Sequence, residues 1–289
     1  MPRQPLTPQR KAWAAERGGH TFKGRPLNMP AASERRYQAE LSAMVDQMTR
    51  IVARAVVRAF EEPAAVRADV ALDAPSFTVL VARILARMSE RFDLLFTRRA
   101  GGLAETLTKG VSASSAVQLG ASLKEVSGGL TLKTDVISGR VAEVLQASTK
   151  QNVALIKSIP QEYFKDIEGA VMRSIQEGNG AQDLRSTIEK IGHSTKKRAN
   201  LIAVDQTRKA TTAVNRARMQ GLGIRKFEWL HSAGGKEPRP LHVAYNGRVF
   251  DLDNPPVIDE RTGERGLPGQ LINCRCRMVP VVSFGDDDE

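Results

Sequence analysis

The spacing of apolar residues changes at Gly221-Leu222-Gly223, and this change limits the folds open to the chain. Before these glycines, apolar residues recur every three or four positions over long stretches, a pattern typical of amphipathic helices. After them come short runs of β-forming residues and turn residues, beginning with a strand over 224–230. The sequence therefore predicts an α+β protein, with a predominantly α-helical N-terminal two-thirds and a small, loop-rich, β-containing C-terminal module.

Two amphipathic helices are predicted in the N-terminal part of the chain. The first begins at Ser33, and its apolar face comprises Leu41, Met44, Val45, Met48, Val52, Ala55, Val56 and Ala59. The second runs from about Ser76 to Arg99, and its apolar face comprises Leu80, Ile84, Leu85, Met88, Phe92 and Phe96. Gly101-Gly102 then interrupts the pattern, and we expect 103–129 to be either weakly helical or partly mobile.

More helices are predicted before the change in spacing. One ends before Pro160, and Pro160 opens the next, because proline is favoured in the first helical turn. That helix is expected to close at Gly178. A short helix over 181–191 follows, and Ser194 is the expected N-cap of a long helix that ends at Gly221.

The C-terminal module is predicted to consist of strands and turns. In the strand over 224–230, Phe227 and Trp229 share one face. Asn246-Gly247 is typical of a two-residue hairpin turn, here between 243–245 and 249–250. A final strand over 274–284 would place Arg275 and Arg277 on one face and Cys276 and Met278 on the other.

These patterns divide the chain into five segments. They are an extended basic arm at 1–32, a helical region at 33–157, a second helical part at 158–223, a small β/loop module at 224–284 and an acidic tail at 285–289. The arm is rich in proline and glycine and poor in apolar residues. We therefore expect it to remain extended.

Cysteine content and hydropathy exclude several classes of protein. Cys274 and Cys276 are the chain's two cysteines, and they lie too close in sequence for an ordinary structural disulfide. A reducing compartment is therefore expected. No apolar run reaches the length of a membrane span, and the first residues have no apolar signal core. We expect neither a membrane partner nor secretion.

The positive charge is unevenly distributed. The formal net charge is +11, and residues 171–230 contain twelve basic and five acidic side chains, whereas 231–289 contain seven and ten. The candidate residues for binding DNA or a protein partner are Arg50, Arg54, Arg58, Arg83, Arg87, Arg91, Lys197, Arg198, Arg208, Lys209, Arg216 and Arg218. The alternative is that they are solvated faces of ordinary helices.

An ordered set of short motifs resembles a known family. The motifs are Phe227-Glu228-Trp229, Arg239-Pro240-Leu241-His242, Asn246-Gly247, Pro255-Pro256, Pro268-Gly269 and Ile272-Asn273-Cys274-Arg275-Cys276, preceded by the helical run from Arg198 to Thr207. Together they resemble the phage Mu F-like head morphogenesis family of minor capsid proteins, over about Ile159 to Val282. The turn at 234–237 departs from the family pattern, in which an Asp is common.

The resemblance implies a virion protein present in few copies per head. It implies association with the portal protein, with the major capsid or scaffolding protein and with double-stranded DNA during procapsid assembly, DNA packaging or ejection. The expected location is the capsid interior or portal vertex, and the host cytoplasm during assembly. A nucleic-acid-binding module acting outside a capsid, and a Cys/His-dependent enzyme, are the alternatives.

The family-motif residues are expected to be structural. They are Trp229, Arg239, His242, Gly247, Pro268, Gly269, Asn273, Cys274, Arg275 and Cys276. No catalytic residue and no cofactor is expected. A packed cysteine pair beside a hydrogen-bonded His242 is the favoured interpretation, and a zinc site formed by His242, Cys274 and Cys276 is the alternative, with His231 or an Asp as fourth ligand.

Overall fold

The α+β fold class is confirmed by a computed structural model of the chain. The structure describes residues 20–61, 76–129, 131–178, 181–234 and 237–284. Within these ranges, no helix has the length and apolar character needed to cross a lipid bilayer.

Four long helices and one short helix lie within the described ranges. The bounds are α1 Ala31–Glu61, α2 Phe77–Val126, α3 Gly139–Glu177, α4 Ala181–Gly221 and α5 Pro240–Ala244. The strands are β1 His20–Lys23, β2 Lys226–Leu230, β3 Val249–Asp251, β4 Val257–Asp259, β5 Glu264–Arg265 and β6 Arg277–Phe284.

A four-stranded antiparallel sheet with the order β1-β6-β2-β3 forms the centre of the C-terminal module. The register places Trp229 of β2 opposite Met278 of β6, and Phe227 opposite both Pro280 and Phe250. Strands β4 and β5 form a separate two-stranded sheet.

The chain divides into two compact units, and three of the four bounds between them fall within α2, α3 and α4. The helical unit contains the described residues of 31–109 and 146–207. The β-containing unit contains 20–30, the described residues of 110–145 and those of 208–284.

The helical unit is held together by apolar faces at helical spacing. Every predicted apolar residue of α1 is buried except Ala55, which is half-buried. On α2, Phe92 and Phe96 are fully buried, whereas Leu80 remains 40% exposed. Two buried side-chain hydrogen bonds lie in the same core. The hydroxyl of Tyr37 donates to Asn152 Oδ1 at 2.9 Å, and Asn152 Nδ2 donates to Gln206 Oε1 at 3.4 Å.

The β-containing unit has its own apolar core. Its buried members are Leu27, Leu119, Leu123, Met219, Ile224, Phe227, Trp229, Leu252, Ile258, Leu267, Cys274, Cys276 and Met278. The prediction that Phe227 and Trp229 share a buried face is confirmed, since both are fully buried. Two fully buried aromatic rings contribute large apolar surfaces to this core.

Three predicted helix boundaries are wrong, because tertiary packing outweighs local propensity. Helix α2 continues through Gly101-Gly102, since Phe96, Ala100 and Ala104 keep its apolar face buried. Helix α3 continues through Pro160, which is itself buried. Helix α4 is likewise a single helix, so Ser194 lies inside it and is not an N-cap.

Two details of the predicted β/loop module also differ from the structure. Residues 243–245 are not a strand, because α5 and a turn occupy this place, and the partner of β3 is β2. The final strand begins at Arg277 instead of Cys274. The predicted alternation is still present, since Cys274, Cys276 and Met278 are buried and Arg275 is exposed.

The predicted N-terminal arm contains a strand, since His20–Lys23 forms β1 of the four-stranded sheet. Strand β1 pairs with β6, and Leu27, which is 1% exposed, pairs with Met278. Local sequence patterns do not predict this pairing, because it joins segments about 250 residues apart and a four-residue strand has little periodicity. The rest of the predicted arm, 1–19, lies outside the described residues.

Candidate functional site

The site is built around a short helix that presents His242. Helix α5 has Pro240 at its first position, where a missing N–H is tolerated, and the preceding Arg239 is extended with φ −65° and ψ 125°. His242 lies in the middle of this helix and is 3% exposed. Its ring packs edge-on against Trp229 of β2, with ring centroids 4.9 Å apart.

A tight loop presents the two cysteines to the same place. Gly269 has φ +88° and Asn273 has φ 62°, a left-handed backbone that glycine and asparagine adopt at low cost. Between these residues and β6, Cys274 and Cys276 turn their side chains inward, and each is 3% exposed. Both cysteines are free, as expected from the sequence.

The three side chains converge on one point. His242 Nδ1 lies 3.5 Å from Cys274 Sγ and 3.9 Å from Cys276 Sγ, and all three atoms lie within 4.8 Å of one another. His242 Nε2 lies 3.1 Å from the carbonyl oxygen of Ile258. Because a carbonyl only accepts hydrogen bonds, Nε2 carries the proton and Nδ1 faces the sulfurs with its lone pair.

The two thiols have different proton affinities. Hydrogen bonds from the Cys276 side chain and from the backbone N–H groups of Cys276 and Gly269 lower the pKa of Cys274, although burial opposes them. The interaction with Cys274 and burial raise the pKa of Cys276. The two shifts are opposite in direction, so the two sulfurs titrate as a coupled pair.

Arginines hold the loops that carry the cluster. Arg239 Nη2 donates to the carbonyl of Ile272 at 3.1 Å, and Arg275 Nη1 donates to the carbonyl of Gly234 at 2.8 Å. These bonds agree with the interpretation of the motif residues as structural, because guanidinium groups here satisfy backbone carbonyls in a loop-rich module.

Gly247 and Pro268, two further motif residues, form hydrogen bonds within the same unit. Gly247 has φ 78°, and its N–H donates to the carbonyl of Trp229 at 2.8 Å. Thr212, on α4, donates to the carbonyl of Pro268 at 2.7 Å. Thr212 was not predicted, because a buried threonine on a helix has no distinctive sequence pattern.

Gly269→Ala is expected to destabilise the β-containing unit by about 1–3 kcal/mol. The residue needs positive φ, and a Cβ would lie 2.9 Å from Thr212 Oγ1 and 3.7 Å from the Cys276 carbonyl oxygen. Urea denaturation measures the loss. Gly101→Ala is the matched control, because a Cβ there meets no atom within 4 Å and its φ is not positive. Equal stability of the two variants would contradict this account of the turn.

The helical unit exposes the arginine ladders of α1 and α2. Arg50, Arg54 and Arg58 are exposed on α1, and Arg83, Arg87 and Arg91 are exposed on α2. A groove of about 460 Å³ lies beside the second ladder and is lined by Gln47, Arg87, Glu90, Arg91, Phe92, Leu94, Leu95 and Arg98. The groove thus combines three guanidinium groups with the exposed side chain of Leu94.

The prediction that the basic residues of α4 form an exposed cationic surface is wrong for the C-terminal half of the helix. Arg208 and Arg218 are only 9% and 4% exposed, and Lys209 and Arg216 are half-buried. Arg208 Nη1 donates to the carbonyl of Cys274 at 3.4 Å. In the N-terminal half, Lys197 is exposed, whereas Arg198 pairs with Glu162 at 2.7 Å.

Arg218 has a structural role that the sequence analysis missed. Its guanidinium donates to the carbonyls of Thr134, Val136 and Ser112, the last two at 3.2 and 3.3 Å, and to Ser112 Oγ at 2.9 Å. Burial lowers the pKa of this group, and the nearby Asp135 partly opposes the shift. The acceptors lie 82 to 106 residues away in sequence, so no local pattern reveals them.

Comparison with known proteins gives two relatives. The chain is 30% identical over 262 residues to an uncharacterized protein of Haemophilus influenzae, covering 90% of this chain and 56% of the relative. It is 24% identical over 156 residues to the uncharacterized protein YqbB of Bacillus subtilis, covering 51% and 50%. The chain thus spans about half the length of these relatives. No solved structure matches.

A family match covers the part of the chain that contains the cluster. It includes the end of α3, all of α4 and the C-terminal module up to β6. His242, Cys274 and Cys276 all fall inside it. The resemblance drawn from the sequence motifs is confirmed, since residues 165–279 match the family described as Phage Mu protein F like protein.

Proposed function

We propose that the chain is a minor capsid protein that acts in head morphogenesis of a tailed phage or prophage. The observation that supports this most is the match of 165–279 to the Phage Mu protein F like family. In this proposal the protein is present in few copies, associates with the portal and the shell, and assists procapsid assembly and DNA packaging or ejection. It acts in the capsid interior or at the portal vertex, after assembly in the host cytoplasm.

The proposed partners are the portal protein, the major capsid or scaffolding protein, and double-stranded DNA. The exposed arginine ladders of α1 and α2 support contact with acidic surfaces or phosphates, because clustered guanidinium groups bind polyanions without reading sequence. The net charge of +11 favours the same partners.

The proposed role is not enzymatic. The thiols of Cys274 and Cys276 are each 3% exposed, and His242 is equally buried. A nucleophilic cysteine must be reached by its substrate, so reaction here would require the surrounding loops to open. The burial of the cluster supports a structural role for these residues.

A triple variant is expected to bind DNA non-specifically with lower affinity. It replaces Arg83, Arg87 and Arg91 by Gln. Each phosphate contact contributes about 0.9 to the slope of log K against log salt, so three lost contacts flatten the slope by about 2–3. Fluorescence anisotropy with duplex DNA over a range of salt concentrations measures this slope.

The matched control replaces Arg225, Arg261 and Arg265 by Gln. These arginines are also exposed, and replacing them removes the same amount of charge. They lie in or beside the mildly acidic C-terminal part of the chain. The control slope should stay near that of the unmodified protein. Equal flattening in both triple variants would mean that net charge, not the α2 ladder, governs binding.

The assembly role is tested by deleting the coding region from the phage or prophage that encodes the chain. Electron microscopy of the lysate is expected to show fewer filled heads or more aberrant heads, and expression of the chain in trans should restore them. Normal yields of filled, infectious heads would contradict the proposal. DNA binding combined with normal heads would favour a nucleic-acid-binding protein acting outside the capsid.

A further inference from the structure

We propose that His242, Cys274 and Cys276 form a zinc site. This inference does not depend on the proposed function, because it rests on the donor atoms alone. The cluster provides two sulfurs and one imidazole nitrogen, and zinc is typically bound by these donor types. Calcium and magnesium are disfavoured, because they require oxygen ligands.

The spacing of the donor atoms fits a single ion. Tetrahedral bonds of about 2.3 Å to sulfur and about 2.0–2.1 Å to nitrogen separate the two atoms by about 3.6 Å. The observed separations from His242 Nδ1 are 3.5 Å to Cys274 Sγ and 3.9 Å to Cys276 Sγ. Little movement is therefore needed to place one ion among the three atoms.

The surroundings already orient the donors. The carbonyl of Ile258 holds the proton of His242 on Nε2, which leaves the Nδ1 lone pair directed at the sulfurs. The N–H of Gly269 lies 3.4 Å from Cys274 Sγ and stabilises negative charge there. A carbonyl on the distal histidine nitrogen and an N–H on a ligating sulfur are typical partners of metal ligands.

A bound metal ion explains why two buried sulfurs face one nitrogen lone pair, which thiol hydrogen bonds alone do not explain. The Nδ1 lone pair accepts one thiol proton, but two buried sulfurs face it. Two thiolates, a neutral imidazole and Zn²⁺ have no net charge, so the buried group carries no uncompensated charge. Three protein ligands leave a fourth position for water or another donor, and His231 is not part of the cluster.

The test measures zinc on the full chain, purified without a histidine tag from zinc-supplemented cells. Elemental analysis should give about one zinc per chain, since a site of this donor set retains zinc through purification. After removal of zinc by a chelator, added Co²⁺ alone should produce sulfur-to-cobalt charge-transfer absorption and tetrahedral d–d bands. Together these results would establish thiolate ligation.

Variants assign the ligands. Cys274→Ser, Cys276→Ser and His242→Gln should each lose most of the bound zinc and the cobalt spectrum, while His193→Gln, which changes an exposed histidine of the helical unit, should keep both. Circular dichroism on every variant shows whether it is folded, and the wild-type cobalt spectrum stands even if a variant fails to fold. A folded wild-type protein with no zinc and no cobalt charge-transfer band would overturn the proposal. Zinc retained by the folded double variant C274S/C276S would overturn it as well.

Discussion

Trp229→Ala is expected to lower the free energy of unfolding of the β-containing unit by about 3–5 kcal/mol, the range for truncating a large buried aromatic. Trp229 is fully buried on β2. Its ring meets those of His242, Tyr245 and Phe250, with centroids 4.9, 5.4 and 6.4 Å away. Alanine would leave a cavity next to the His–Cys cluster.

Urea denaturation followed by circular dichroism measures this loss. Trp229→Phe keeps an aromatic ring and should lose clearly less stability than Trp229→Ala. Val249→Ala is the control, because Val249 is 43% exposed on β3 and its loss should change stability by no more than about 0.5 kcal/mol. A Trp229→Ala variant as stable as Val249→Ala would show that the indole does not anchor the core.

Arg218→Met is expected to lower the free energy of unfolding by about 3–4 kcal/mol, because several buried acceptors lose a charged donor together. Methionine keeps most of the apolar stem but donates no hydrogen bond. The carbonyls of Thr134 and Val136 would then lack the guanidinium that holds the 131–138 segment between α2 and α3. Hydrogen exchange should therefore accelerate in that segment first.

Two further variants separate the effect of the guanidinium hydrogen bonds from the effect of the positive charge. Arg218→Lys keeps the positive charge, but one ammonium group cannot reach all the acceptors that the planar guanidinium contacts. The free energy of unfolding of this variant should therefore lie between those of the unmodified protein and Arg218→Met. Arg225→Met removes an exposed arginine paired with Asp253 at 3.1 Å, and it should cost no more than about 1 kcal/mol. Unchanged exchange of 131–138 in Arg218→Met would contradict the anchoring role.

Much of the fold follows from local sequence patterns. The apolar spacing in 33–59 predicted the buried face of α1, and the alternation around Phe227 and Trp229 predicted the buried face of β2. The convergence of His242 with Cys274 and Cys276 was also predicted. Two cysteines that are two residues apart on a strand share one face, and His242 lies in a neighbouring loop motif.

The errors arise where distant contacts outweigh local preference. Pro160 usually ends or opens a helix, yet buried residues on both sides, such as Ile156 and Tyr163, keep α3 continuous. The burial of Arg218 depends on carbonyls far along the chain, and the pairing of Leu27 with Met278 joins opposite ends of the sequence. Periodicity does not encode such contacts.

Quantitative mass spectrometry of gradient-purified procapsids and mature heads tests the proposed role most directly. We expect peptides of this chain in the particle fractions, at a few copies per portal ring and far below the amount of the major capsid protein. Peptides found only in the soluble fraction, in preparations where the portal protein is readily detected, would contradict it.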